Sequence, residues 1–211
     1  MKRVLLALAL SVPFAVFAEG STKDLFVKGG DAATGATKAA VCGACHGPTG
    51  NGSAPIYPKL AGQSSKYIYE QLSAFKSGKR QNPIMTGQVA SLSDQDMKDL
   101  AAHFATLKLT PGVANKDSLA IGDKLYRAGD AARGIPACAS CHGPVGAGQP
   151  SVGYPRIGGQ NADYALAALQ RLHGTSTESL PEGNVKMMAS IAAKLTDKEM
   201  ASLASYLNGL Q

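Results

Sequence analysis

The final stretch of each half of the chain carries a helical pattern of apolar residues. In residues 92–107 the apolar positions recur near the spacing of one helix face, and the same order returns in residues 195–210. Each stretch begins with Ser or Thr followed by Asp, which can cap a helix. The pattern predicts two amphipathic closing helices, with Met97 and Met200 packed on their apolar faces.

Shorter helical patterns precede the closing helices. Residues 32–40 and 119–128 predict a first helix in each half, and residues 64–76 and 161–172 predict a middle helix. No convincing alternation of apolar and polar residues indicates a strand. The fold class expected is all-α, with four to five short helices in each half.

The two halves are copies of one unit. The stretch YPKLAGQ at residues 57–63 returns as YPRIGGQ at residues 154–160, with Tyr67 and Tyr164 following at the same offset. A period of about a hundred residues suits two domains better than a solenoid. We therefore expect domains at residues 19–108 and 119–211, joined by the Pro- and Gly-bearing linker LTPGVANKDS at residues 109–118.

The N-terminus has the composition of an export signal. Lys2 and Arg3 precede an apolar run that ends in Val16-x-Ala18, a small-residue pair that a signal peptidase accepts. The run is shorter than the ~20 apolar residues that span a bilayer. The sequence predicts a signal peptide at residues 1–18, a mature chain from Glu19 and an exported protein.

One cysteine motif occurs twice and uses every cysteine in the chain. CGACHG at residues 42–47 and CASCHG at residues 138–143 each place a histidine directly after a C-x-x-C pair. A redox dithiol or a four-cysteine zinc site is the alternative interpretation, but the adjacent histidine is typical of c-type haem attachment. We expect two covalent haem c groups, held by the thioether and imidazole residues Cys42, Cys45, His46, Cys138, Cys141 and His142.

The second axial position of each iron could hold a methionine, a second histidine or no protein ligand. Met85, in NPIMTGQ, occupies a Pro- and Gly-bearing stretch that we interpret as a loop before the closing helix. His103 and His173 have no repeated counterpart, so packing or surface roles are expected for both.

Two repeated prolines are candidates to orient the ligating histidines. A metal-bound imidazole normally donates its other N–H to a carbonyl or carboxylate, and Pro58 and Pro155 could present that carbonyl; simple stiffening of the loop is the alternative. Gly47 and Gly143 would let the chain turn beside the haem.

Charge argues against a nucleic-acid partner. The formal net charge of +6 includes Lys2 and Arg3; the remaining 19 basic and 15 acidic residues give +4, which the propionates of two haems would bring roughly to neutrality. No basic run interleaved with aromatics is present, and Trp is absent.

With these motifs the chain resembles the dihaem cytochromes c4, which consist of two tandem class I cytochrome c domains. The resemblance covers the whole mature chain and implies a periplasmic one-electron carrier with two His/Met-ligated haems. It also implies electron transfer from a quinol-oxidising complex towards a terminal oxidase, and it leaves peripheral association with the inner membrane open. The repeat assigns the second methionine: Met188 lies seven residues before Leu195 as Met85 lies seven before Leu92, whereas Met187 matches Ile84.

Three classes of function remain open from the sequence: an electron carrier, a dihaem enzyme such as a peroxidase or thiosulfate-oxidising enzyme, and the haem subunit of a flavin-containing complex. An enzyme acting at iron needs a displaceable sixth ligand, whereas this chain offers a methionine for each iron and no third domain for a substrate pocket. A carrier without a small-molecule substrate is the favoured interpretation.

Overall fold

The computed structural model describes residues 27–211, so the predicted signal peptide at residues 1–18 lies outside the described residues, as do residues 19–26. In the first half, residues 27–108 contain five helices: α1 Ala32–Lys38, α2 Gly43–His46, α3 Ser65–Lys76, α4 Pro83–Val89 and α5 Asp94–Thr106. The second half repeats them: α6 Leu119–Arg127, α7 Ala139–His142, α8 Ala162–His173, α9 Asn184–Ala192 and α10 Asp197–Gly209. Residues 27–211 contain short 3-10 turns and isolated bridges but no strand, which confirms the all-α prediction.

The closing helices begin where their capping residues predict. Ser93 and Asp96 bond reciprocally at the start of α5, and Thr196 and Glu199 do the same at the start of α10. Each pair satisfies two backbone N–H groups that would otherwise lack an acceptor. The acidic residues also lie at the positive end of the helix dipole, so the same local chemistry fixes both closing helices.

The closing helices form the centre of each domain. Helices α1 and α3 pack on α5, and helices α6 and α8 pack on α10. The close crossings depend on Gly35 and Gly122, since a Cβ atom at either position would clash with the closing-helix backbone. Met97 is 5% exposed and Met200 is 1% exposed, which confirms that both pack in the interior.

The two methionine segments are helical, so the prediction of a loop around Met85 was wrong. Asn82 caps α4 by accepting a hydrogen bond from the backbone N–H of Met85 at 3.0 Å, and Pro83 occupies the first turn. Proline is well suited to a first turn because its missing N–H would lack a helical acceptor in any case. The residues that suggested a loop therefore start a helix.

The second half is longer before its methionine. Residues 77–82 connect α3 to α4, whereas residues 174–183 connect α8 to α9. Met188 also lies two residues deeper into its helix than Met85 does. The additional residues thus lengthen both a loop and a helix.

No helix within residues 27–211 has the length and apolarity needed to cross a membrane.

The segment at residues 109–118 is fixed along the second closing helix. The N–H of Gly112 donates to the carbonyl of Asn208 at 2.9 Å, and the N–H of Asn115 donates to the Ser205 hydroxyl at 2.8 Å. On the other side, the Lys59 ammonium donates to the carbonyl of Thr110 at 2.6 Å. This segment therefore contacts both halves of the chain.

Candidate haem sites

Each C-x-x-C-H motif forms a single helical turn. The N–H of His46 donates to the carbonyl of Cys42 at 2.9 Å, and the N–H of His142 donates to the carbonyl of Cys138 at 3.0 Å. Residues three and four apart on a helix share a face, so the turn gathers both thiols and the imidazole of one motif on the same side. The spacing in the sequence thereby brings together the two thiols and the imidazole that would attach one haem.

Both motif histidines are buried and oriented by a carbonyl. Nδ1 of His46 lies 3.0 Å from the Pro58 oxygen, and Nδ1 of His142 lies 2.9 Å from the Pro155 oxygen. The histidines are 7% and 5% exposed. Because the carbonyl can only accept, Nδ1 carries the proton and Nε2 keeps its lone pair. Nε2 makes no hydrogen bond within the described residues, so it is available to a metal.

Burial keeps these imidazoles in the form that binds metal. Removal from water lowers the pKa of His46 and of His142, and the carbonyl hydrogen bond opposes that shift only in part. A neutral imidazole is the form that coordinates iron. Gly47 and Gly143 follow with φ of 75° and 80°, a left-handed conformation that glycine adopts without strain and that turns the chain away from the motif.

The thiols do not resemble a redox-active dithiol. All four are unpaired and partly buried. Burial raises the pKa of Cys42 and raises that of Cys138 to about 11, whereas a reactive dithiol has a lowered pKa. Across residues 27–211 the structure gathers no group of three or more His, Cys, Asp or Glu side chains that could hold a metal ion, so the two cysteine pairs do not meet in one zinc site.

The methionine helices distinguish the two adjacent methionines of the second half. Met85 and Met188 are both half-buried, on α4 and α9. The preceding residue is the more exposed one in each case: Ile84 is 62% exposed and Met187 is 37% exposed. The burial pattern matches the register between the halves, in which Met188 corresponds to Met85. Assignment of either methionine to an iron stays a prediction.

The two remaining histidines have local partners. The His103 ring packs edge-on against Phe104, with ring centroids 5.2 Å apart. Nδ1 of His173 lies 2.9 Å from the carbonyl of Ala192, and the equivalent residue Lys76 bonds the carbonyl of Leu92. His173 and Lys76 thus connect the end of the middle helix of each domain to the segment that precedes the closing helix.

The two glutamines that end the YP[KR][LI][AG]GQ stretches have a role that was not predicted from the sequence. Gln63 accepts from the N–H of Arg156 at 2.8 Å and donates to its carbonyl at 2.9 Å. Gln160 accepts from the N–H of Lys59 at 2.8 Å and donates to its carbonyl at 3.0 Å. Each domain therefore binds the other through the same side chain, and the repetition of the stretch was the signal that could have indicated this.

A second group of side chains connects the domains near these glutamines. The Arg80 guanidinium donates to the Tyr164 hydroxyl at 3.2 Å and to Gln71 at 2.6 Å. Burial raises the pKa of Tyr67 to about 12, with the neighbouring Tyr164 adding to the shift. Arg171 places a second positive charge beside Arg80. Within residues 27–211 neither arginine forms an ion pair, so the group carries an excess of positive charge.

Comparison with known proteins gives a consistent picture. The family model for cytochrome c matches residues 32–108 and 119–211. Cytochrome c4 of Pseudomonas aeruginosa is 48% identical over 182 residues, which cover 86% of this chain and 89% of that protein. The crystal structure of reduced recombinant cytochrome c4 from Pseudomonas stutzeri matches with a TM-score of 0.80 and 40% identity, over 86% of this chain and 100% of that one.

A further relative is named for the enzyme from which it accepts electrons. The thiosulfate dehydrogenase electron acceptor of Thiomonas intermedia is 36% identical over 176 residues, which cover 81% of this chain and 78% of that protein. The similarity therefore extends across both domains in each of these comparisons.

Proposed function

The chain belongs to the cytochrome c4 family of dihaem electron carriers, and from this premise we propose that it carries single electrons from a quinol-oxidising complex towards a terminal oxidase. A c-type haem supplies an iron centre that gains and loses one electron at a time. The chain carries two covalent haem c groups, one for each cytochrome c domain.

The attachment residues follow from the geometry of the two motif turns. Cys42 and Cys45 form the thioethers of the first haem, and Cys138 and Cys141 form those of the second. His46 and His142 bind the two irons through Nε2, because Nδ1 of each is occupied by a proline carbonyl. This duplicated histidine–carbonyl bond is the observation that carries the proposal.

The second axial ligands are Met85 for the first iron and Met188 for the second. Both are half-buried on helices that pack against the middle helix of their domain. A thioether favours the ferrous form and raises the reduction potential, which suits a carrier in a respiratory chain. It also fills the sixth position, which an enzyme acting on a substrate at iron would leave open.

The positive group at the domain boundary would neutralise the haem carboxylates. Arg80 and Arg171 form no ion pair within residues 27–211, and each haem c brings two ionisable propionates. Arginine suits carboxylate groups because its planar fork can donate two parallel hydrogen bonds. Placement of the propionates at this boundary is part of the proposal.

Export to the periplasm through residues 1–18 completes the proposed role. The quinol-oxidising complex and the terminal oxidase are both membrane proteins, so the proposal includes weak association with the periplasmic face of the inner membrane. A thiosulfate-oxidising enzyme is the second candidate donor, because a relative is named as the electron acceptor of thiosulfate dehydrogenase.

Stopped-flow reduction of the purified oxidised protein by each candidate donor tests the proposal. We expect rapid one-electron reduction of both haems by the quinol-oxidising complex, slower reduction by thiosulfate dehydrogenase with thiosulfate, and reoxidation by the terminal oxidase. Faster reduction by thiosulfate dehydrogenase would replace the proposed donor with the second candidate. Rapid binding of carbon monoxide together with peroxide turnover would contradict the carrier role altogether.

A further inference from the structure

One peptide group in each domain links the motif histidine to the opposite domain. The peptide bond between Pro58 and Lys59 presents its carbonyl to Nδ1 of His46 at 3.0 Å. The N–H of the same peptide donates to Oε1 of Gln160 at 2.8 Å. His46 is therefore connected to a side chain of the C-terminal domain through a single planar group.

The C-terminal domain contains the reciprocal connection. The peptide between Pro155 and Arg156 accepts from Nδ1 of His142 at 2.9 Å and donates from its N–H to Oε1 of Gln63 at 2.8 Å. The two connections differ by no more than 0.1 Å at any step. The same arrangement has thus formed twice, once in each direction across the boundary.

Both glutamine amides form hydrogen bonds through their oxygen and through their nitrogen, which fixes their orientation. The amide NH₂ of Gln160 donates to the Lys59 carbonyl, and that of Gln63 donates to the Arg156 carbonyl. Each Oε1 also accepts from the next residue's N–H, at 2.9 Å from Ser64 or Asn161. A rotated amide would set its NH₂ against two N–H donors, so only the observed orientation satisfies the bonds.

We propose that Gln160 is a positioning residue for His46 and that Gln63 is a positioning residue for His142, each acting across the domain boundary. An acceptor on a peptide N–H makes the carbonyl of that peptide a stronger acceptor, because linked hydrogen bonds polarise one another. A stronger bond at Nδ1 raises the basicity of the imidazole as a metal ligand. The glutamine of one domain thereby stabilises the ferric state in the other. This inference rests on the proposed iron ligation by His46 and His142.

The test uses the full-length dihaem protein with Gln160→Leu and Gln63→Leu. The readouts are haem-resolved proton NMR of the axial methionine methyl groups and a redox titration, with Met188→Ala identifying the signal of the second haem. We expect Gln160→Leu to move the signal and raise the potential of the first haem only, and Gln63→Leu to do so for the second only. Gln160→Glu keeps an acceptor oxygen with greater charge, so it should lower the potential of the first haem.

Asn161→Ala is the matched control. Asn161 donates its side-chain N–H to the carbonyl of Tyr57 at 2.8 Å, so it bonds the same loop across the same boundary without touching the peptide between Pro58 and Lys59. We expect both haem signals to stay in place in this variant. A shift equal to that of Gln160→Leu would overturn the inference, because any loss at the interface would then suffice.

The remaining outcomes separate the inference from the function on which it rests. A shift in the glutamine's own domain, an equal shift in both domains, or no shift would overturn the inference while the carrier role stood. Absence of both axial methionine signals from the unsubstituted protein would contradict the proposed His/Met ligation itself, and the inference would fail with it.

Discussion

In both domains the first helix crosses the closing helix, but the side chains at the crossing differ between the two domains. In the N-terminal domain Lys38 on α1 pairs with Asp96 and with Asp99 on α5, 3.2 Å from the latter. In the C-terminal domain Tyr126 on α6 lies against Tyr206 on α10, with ring centroids 5.5 Å apart. One crossing is therefore held by ion pairs and the other by aromatic rings.

Aligned positions of the two domains carry different side chains at this crossing. Asp99, which is 2% exposed, corresponds to Ser202, and His103 corresponds to Tyr206. The N–H of Asp31 donates to the Asp99 carboxylate at 3.0 Å, whereas the Tyr126 hydroxyl donates to the carbonyl of Gly143 at 2.5 Å. The fold thus sets how closely the two helices approach, and either a buried carboxylate network or a tyrosine pair can occupy the space between them.

The largest effect is expected where the domains are alike. Replacing His46 or His142 with glycine removes a group that couples haem binding to folding, so each variant should lose on the order of 5 kcal/mol of stability in its own domain. Thermal unfolding followed by circular dichroism measures the loss. His103→Gln removes an imidazole from the same domain as His46 and should cost under about 1 kcal/mol. Unchanged unfolding of His46→Gly would contradict the ligand role.

The next prediction separates the domains. Asp99→Leu leaves the Asp31 N–H without its buried carboxylate acceptor, while Lys38 keeps only Asp96, at a cost on the order of 2 kcal/mol. Ser202→Ala, at the equivalent position, should cost under about 0.5 kcal/mol, because an uncharged hydroxyl takes part in no ion pair. Urea unfolding gives both values. Similar losses of unfolding free energy in the two variants would show that the difference between the two crossings does not affect stability.

A smaller effect concerns alkaline pH in the C-terminal domain. Burial raises the pKa of Tyr126 to about 12, above the value in the unfolded chain. The neutral hydroxyl therefore contributes stability that is complete below the unfolded pKa and is lost as pH rises through the folded one. Between about pH 9 and about pH 11 the loss should be on the order of 1 kcal/mol.

Tyr126→Phe isolates that contribution. Tyr67, whose pKa also rises to about 12, is common to both proteins, so the difference between their pH profiles belongs to Tyr126. Unfolding temperatures at the two pH values should fall less steeply in the variant. Parallel profiles would mean that the Tyr126 hydroxyl does not titrate with unfolding.

Local patterns predicted the features that depend on neighbouring residues. The capping residues Ser93 and Thr196 marked the starts of α5 and α10, and the repeated motif predicted two covalent haem c groups. The prolines were identified as candidates to present a carbonyl to His46 and His142, and those hydrogen bonds are present. Each of these features needs only a short stretch of chain to specify it.

Features that depend on the rest of the fold were missed. Pro83 suggested a loop around Met85, because proline disfavours the interior of a helix but suits its first turn, and only the Asn82 cap distinguishes the two. The roles of Gln63 and Gln160 require knowing which backbone of the other domain lies opposite. A repeated glutamine is visible in the sequence, but its partner about a hundred residues away is not.

The central claim is that each iron is held between a motif histidine and a methionine, with Met188 rather than Met187 at the second. The near-infrared sulfur-to-iron charge-transfer band of the oxidised protein tests it most directly. We expect Met85→Ala and Met188→Ala each to abolish the contribution of one haem to the band and to lower its potential, whereas Met187→Leu leaves both contributions intact. Loss of the second contribution in Met187→Leu alone would contradict the register between the domains, and an intact band in all three variants would contradict methionine ligation.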